Sequence, residues 1–161
     1  MATLATMAIE LREVTPEVLD ELRTDVVLPP EQAEWVGGTV DDSLQEAAEL
    51  PEGKPWPRGV YRDGVPVGFV MLSWNVVPRP PDIYGPWYLW KLMVAPAAQG
   101  TGVGRAVVGH VAALVKEQGA TELLTSCAQG EGSPYGFYIG LDFVPTGEYA
   151  AWGEEILVLA L

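Results

Sequence analysis

A single cysteine in 161 residues, Cys127, leaves nothing for an internal disulfide and no thiolate cluster for a metal. Basic residues are scarce, 9 against 22 acidic, giving a formal net charge of −13. A field of that sign disfavours nucleic acid and anionic membranes as partners and favours small cations. No apolar run approaches the roughly 20 residues that cross a bilayer, and Met1 to Glu10 lacks the basic start of a signal peptide. A cytoplasmic location is the default that follows.

What is present is a chain rich enough in apolar residues, at 48%, to exclude disorder. It is long enough for one sizeable core and short for two, so we read 1–161 as one domain, with Met1 to Thr6 a flexible leader. Ala8 to Val14 fits a strand, and Pro16 to Leu28 a helix opened by the Thr15 cap. Glu31 to Val36 and Asp42 to Leu50 read as short helices, and Pro51 to Pro57 as a loop. Asp63-Gly64 is a tight-turn dipeptide between two strands, and the second arm, Val65 to Leu72, is apolar enough to be covered on both faces. After a proline-rich loop, Tyr88 to Val94 is a strand. Val103 to about Gln118 is a helix with Val103, Val107, His110, Val111 and Leu114 on one stripe. Leu123 to Cys127, a short helix from Ser133-Pro134 to Leu141, and strands at Asp142 to Thr146 and Glu155 to Leu161 complete the chain.

The most informative segment is Gln99-Gly100-Thr101-Gly102-Val103-Gly104, between the strand ending in Val94 and the following helix. A strand, a glycine-rich loop and a helix N-terminus together present backbone N–H groups to a pyrophosphate. The glycine order is not that of a dinucleotide fingerprint, and no Lys-Ser/Thr pair closes a P-loop. The spacing Gln-x-x-Gly-x-Gly resembles the acetyl-CoA loop of the GNAT superfamily of N-acetyltransferases. Leu92-Met93-Val94 stand where that pattern has an apolar strand end. Phe137-Tyr138-Ile139-Gly140-Leu141-Asp142-Phe143 matches its second motif in Tyr, Leu and the final Phe. The element order specifies an α/β (α+β) fold with a mixed, largely antiparallel sheet flanked by helices, the arrangement these enzymes share. Pro30 to Val36, Ser43-Leu44 with Glu46-Ala47, and Thr146-Gly147-Glu148 look like the bacterial spermine/spermidine acetyltransferase branch.

The resemblance implies acetyl-CoA as co-substrate, no metal, and direct attack by a primary amine in a ternary complex. The absence of a Ser/His/Asp or Cys/His set is consistent with that chemistry. Leu92, Met93 and Val94 would pair with the pantetheine arm. Gln99, Gly100, Thr101, Gly102, Val103, Gly104 and Arg105 would hold the phosphates, with Arg105 supplying positive charge because the loop has no lysine. Tyr138 would protonate the departing thiolate; its alternative is an aromatic packed in the core. Glu131 stands seven residues before it, where the family commonly has an asparagine. No base is visible in the strand, so a water relay or a carboxylate from another segment must serve. His110 and Cys127 read as structural residues. A polyamine needs carboxylates and aromatic faces, and Glu31, Glu34 and Trp35, with Asp41, Asp42 and Glu46 following, could supply both; a helix-dipole role for Glu31 and a core role for Trp35 are the alternatives. Other small amines, aminoglycosides or amino acids, and a non-catalytic acyl-CoA-binding domain remain open at this point, as does a homodimer.

Overall fold

Local signals account for most element boundaries in the computed structural model, which describes residues 8–161; the leader read at Met1 to Thr6 lies outside them. Strand β1 (Ile9–Glu13) leads to α1 (Pro16–Asp25), where the Thr15 hydroxyl accepts from Val18 N at 3.2 Å. That cap satisfies one of the amides a helix start leaves unpaired. Helix α1 ends at Asp25, short of the expected Leu28: continued through Pro29, it would set the proline ring against the Asp25 carbonyl four residues back. Helix α2 (Pro30–Val36) stops at Gly37, which has φ 80°. Helix α3 (Val40–Glu49) begins with a reciprocal capping box between Thr39 and Asp42.

Strand β2 (Pro55–Arg62) starts earlier than the proline-rich composition predicts: Pro55, Trp56 and Pro57 already pair with Ser73, Leu72 and Met71 of β3 (Val65–Ser73). The prolines fit because β1 reaches only as far as Arg58, so this stretch of β2 has one neighbour and needs fewer N–H donors. Asp63 (φ 53°) and Gly64 (φ 76°) make the expected turn. Strands β4 (Tyr88–Val94), β5 (Glu122–Cys127), β6 (Val144–Tyr149) and β7 (Glu155–Ala160) complete a seven-stranded sheet in the order β1-β2-β3-β4-β5-β7-β6. Every neighbouring pair is antiparallel except β4 and β5.

Helix α4 (Val103–Glu117) packs on β1, β4 and β5, and α1 packs on β2 and β3. The core between these elements holds Leu22, Phe69, Met71, Leu72, Val111 and Leu157, all with no exposed surface. Burial of each such side chain contributes about 1.5–3 kcal/mol. The α4 stripe is Val103, Val107, Val108, Val111 and Val115. His110 is exposed, contrary to its expected place among them. One residue is about 100° of rotation on a helix, which turns His110 away from the face that carries Val111. Gly68 permits the close approach of β3 and β4, since a Cβ there would lie 2.5 Å from the Met93 carbonyl oxygen. No described helix is long and apolar enough to cross a membrane.

Candidate active site

The two parallel strands pair at only two positions, Tyr88 with Leu124 and Leu89 with Thr125. Beyond these β4 and β5 part company. The β3–β4 register changes there: Met71 pairs with Lys91 and Leu72 with Leu89, leaving Trp90 as the unpaired extra residue of a bulge. A bulge bends its strand, which opens the β5 side of β4. Farther along, Ala95 N donates to Val67 O at 2.8 Å. Antiparallel hydrogen bonding alternates, so Met93 also faces its backbone toward β3, while Leu92 and Val94 face theirs into the opening. Of the three residues expected to pair with a pantetheine arm, Met93 therefore lacks a free backbone edge, and its side chain is buried in the core.

At the open end of β4 a short turn, Pro96–Ala98, passes the chain into the glycine loop. Gly100 (φ 76°) and Gly102 (φ 90°) adopt left-handed backbone, and Gly102 is the N-cap of α4. Helices α1 and α3 are capped by threonine hydroxyls, whereas α4 has no side-chain cap and no acidic residue in its first turn. Its leading amides are thus left for an anion, at the positive end of a 15-residue helix dipole. Gln99, Gly100, Thr101, Gly102 and Arg105 are exposed around this point, Gly104 lies half-buried against Phe137, and Val103 anchors the helix in the core. Arg62, at the end of β2, reaches Thr101 Oγ1 at 3.4 Å. It adds a cation that sequence reading missed, because 39 residues separate the two. The arrangement of open-edge amides and an uncapped helix end suits a ligand with an amide-bearing arm and a pyrophosphate.

A cavity of about 470 Å³ runs through the parting of the strands. On one side Tyr88, Trp90 and Leu92 of β4 line it, and on the other Thr125, Ser126 and Cys127 of β5. Tyr138, on α5 (Tyr135–Gly140), closes its inner wall. Ser133 Oγ accepts from Tyr135 N at 3.0 Å at the start of that helix. Burial pushes the Tyr138 phenol far above its ordinary range, Cys127 adds to the rise, and a contact with Thr125 works against it. Cys127 is itself buried, as expected, but its position on the cavity wall is new. Glu131 is exposed and is not among the lining residues.

The cavity lining is acidic and aromatic. Glu34, Glu46, Asp82 and Glu154 belong to it, with Trp35, Tyr84 and Trp152. Trp35 lies against the β5–α5 loop, where a Cβ on Gly130 would come within 2.9 Å of its ring. Glu31, the other expected acceptor contact on α2, is exposed and is not part of the lining, whereas Glu34, also exposed, is; Asp41 pairs with Arg23 and Asp42 caps α3, both outside the lining. Lys91 is buried and donates to Val36 O at 2.6 Å, with Glu46 Oε2 at 3.1 Å. Glu46 Oε1 accepts from Trp90 Nε1 at 2.8 Å. Glu154 is held differently, by the Ser126 hydroxyl at 2.7 Å and Trp152 Nε1 at 2.9 Å. Glu46 is one of the carboxylates expected at the acceptor site, whereas Glu154 carried no local sequence signal; each meets β4 or β5 from a remote segment. No group of three or more potential metal ligands occurs among the described residues.

The profile of the acetyltransferase (GNAT) family matches residues 18–138. Among curated proteins none matches the sequence. Solved structures do. An acetyltransferase from Thermus thermophilus superposes with TM-score 0.70 at 20% identity, over 97% of this chain and 99% of that one. An aminoglycoside acetyltransferase in complex with coenzyme A gives 0.68 at 20% identity, over 95% of each chain. The PaiA N-acetyltransferase from Thermoplasma acidophilum, also with coenzyme A, gives 0.63 at 14%, over 96% and 100%. At these identities the likeness is one of fold.

Proposed function

The chain belongs to the acetyltransferase (GNAT) family, and from that premise we propose that it moves the acetyl group of acetyl-CoA to a primary amine of a small polycation, a diamine or polyamine. The observation that carries the acceptor class is the cavity lining, where four carboxylates, Glu34, Glu46, Asp82 and Glu154, stand against the single cation Lys91. That cation is already matched by Glu46. The surplus is negative, and Trp35, Tyr84 and Trp152 offer faces for ammonium and methylene groups. A substrate with positive charges spaced along an apolar spine fits this lining better than an anionic or neutral amine.

In the proposed reaction, acetyl-CoA supplies the activated acyl group. The amides of Leu92 and Val94 bind its arm along the open edge of β4, and the first-turn amides of α4, with Arg62 and Arg105, receive its phosphates. An N–H aimed at the carbonyl oxygen stabilises the charge that develops there, a contact worth about 2.7–4 kcal/mol in acyl transfer. Tyr138, at the inner wall, donates a hydrogen bond to the departing sulfur. Burial makes this phenol a weaker acid than usual, while a thiolate is a fair leaving group with a pKa near 8.5. Tyr138 therefore helps by a proton shared in flight.

Thiol release from acetyl-CoA, measured against a panel of 1,4-diaminobutane, spermidine, an aminoglycoside and free amino acids, tests the reading. Turnover of the first two at much higher kcat/KM than the rest is the expected result. Preference for the aminoglycoside or an amino acid would replace the acceptor class while leaving acetyl transfer in place.

A further inference from the structure

Four carboxylates line the cavity, and their surroundings differ. Glu46 has both oxygens engaged, one by the Trp90 indole and one by the buried Lys91 ammonium. Its charge is matched, so it has little pull on a second cation. Glu34 and Asp82 are exposed at the rim, where water screens them. Glu154 is half-buried, and the donors that hold it, Ser126 and Trp152, are neutral. Both bonds go to Oε1, and no described residue donates to Oε2.

The position of Glu154 is as specific as its partners. It sits at the β6–β7 hairpin, immediately before β7, whose residues 155–160 pair with β5 along its length. Ser126, on β5, bridges it to the opposite wall: Ser126 Oγ lies 2.6 Å from Tyr88 Oη, on β4. The negative charge of Glu154 is felt at Tyr88, Cys127 and Tyr138, the groups nearest the parting of the strands. Those three face it from β4, β5 and α5, and Tyr84 stands across Trp152 with ring centroids 6.2 Å apart. Burial raises all four, so each keeps its proton at neutral pH. The Lys91–Glu46 pair is the other charged element of this wall.

We infer that Glu154 is the general base of the acetyl transfer, receiving the acceptor ammonium and removing its first proton, with Ser126 and Trp152 fixing the carboxylate. The inference rests on the acetyl-transfer reading above. In the step it describes, the ammonium gives one proton to Glu154, which releases it to water at the cavity mouth. The neutral nitrogen then forms its bond to the acetyl carbon, and the carbon–sulfur bond breaks. As the sulfur takes the phenolic proton of Tyr138, the second nitrogen proton restores the phenol. One amide, one thiol and one free proton result from one ammonium and one thioester.

The test is Glu154→Gln in the full chain, with 1,4-diaminobutane and spermidine as acceptors. A positioned base is worth roughly 10²–10⁴ in rate. We expect kcat/KM for the amine at pH 7 to fall by at least about 100-fold, and the deficit to shrink toward pH 10 as the amine loses its proton unaided. Acetyl-CoA affinity by calorimetry should stay at the wild-type value. A deficit that is the same at every pH, or one confined to the amine KM, would reduce Glu154 to a charge anchor and overturn the assignment. Trp152→Phe supplies a second reading should the first variant unfold. With the indole donor gone the carboxylate is held less firmly, so kcat for the amine should fall while acetyl-CoA affinity holds; an unchanged kcat counts against the base. Wild-type protein that acetylates no amine would refute the acetyl-transfer reading itself, whereas an active wild type with an unimpaired Glu154→Gln variant refutes only this inference.

Discussion

Gln32 and Gln99 face each other amide to amide, each Nε2 donating to the other's Oε1, at 3.1 and 2.7 Å. The pair ties α2, which carries Glu34 and Trp35, to the loop at the head of α4. Gln99 Nε2 also donates to Val94 O at 2.9 Å, so one amide fixes the loop to the open strand edge. Gln32→Ala removes two of these three hydrogen bonds and Gln99→Ala removes all of them. We expect a rise of a few-fold in acetyl-CoA KM for the first and a larger rise for the second. Stability should change by about 1 kcal/mol or less, the usual net value of such exposed bonds. Calorimetric titration with coenzyme A and a thermal melt check both.

Gly102→Asp and Gly104→Asp test the phosphate end of the site by different routes. At Gly102 the φ of 90° strains any L side chain, by about 1–2 kcal/mol, and the new carboxylate faces the anion. At Gly104 the backbone is helical, but a Cβ would come within 3.1 Å of Phe137. Both variants should raise acetyl-CoA KM by an order of magnitude or more while the amine KM changes little. Unchanged coenzyme A affinity in a folded Gly102→Asp protein would remove the loop from the site.

Tyr138→Phe deletes one hydroxyl and keeps the ring that meets Phe137 and Phe143 edge-on at 5.2 and 5.3 Å. Because burial weakens this phenol as an acid, we place the loss of kcat at the low end of acid catalysis, roughly 10²-fold. Both KM values should hold. Near-normal kcat alongside a lowered melting temperature would make the tyrosine a packing residue.

Tyr61 gives a prediction at alkaline pH. Its ring has no exposed surface, and its hydroxyl donates to Glu21 Oε1 at 3.0 Å. Burial first and Glu21 second push its pKa from 10 up to about 12. Above pH 10 the unfolded chain gives up this proton while the folded protein retains it, so stability is complete below pH 10 and falls as pH rises to about 12. Chemical denaturation between pH 9 and 12 should show a shallower decline for Tyr61→Phe than for the wild type. Identical slopes would mean that Tyr61 titrates alike in both states.

The amino-acid order alone determined the strand Tyr88–Val94, the cap at Thr15, the Asp63-Gly64 turn and the glycine loop before α4. Each depends on neighbours within a few residues, so backbone preference and hydrophobic period suffice to read it. Sequence also brought out Tyr138 and the family likeness, because both lie in contiguous motifs. Only the tertiary structure decided that Met93 turns its backbone to β3, that His110 points outward, and that Glu34 rather than Glu31 lines the cavity. It alone brought Arg62 beside Thr101, Lys91 beside Glu46, and Glu154 beside Ser126. Those outcomes depend on strand register, on where one bulge bends β4, and on which remote segments the sheet order makes neighbours. Local propensity carries no information about contacts between residues that are far apart in the chain, and the acceptor side of this site is made of such contacts.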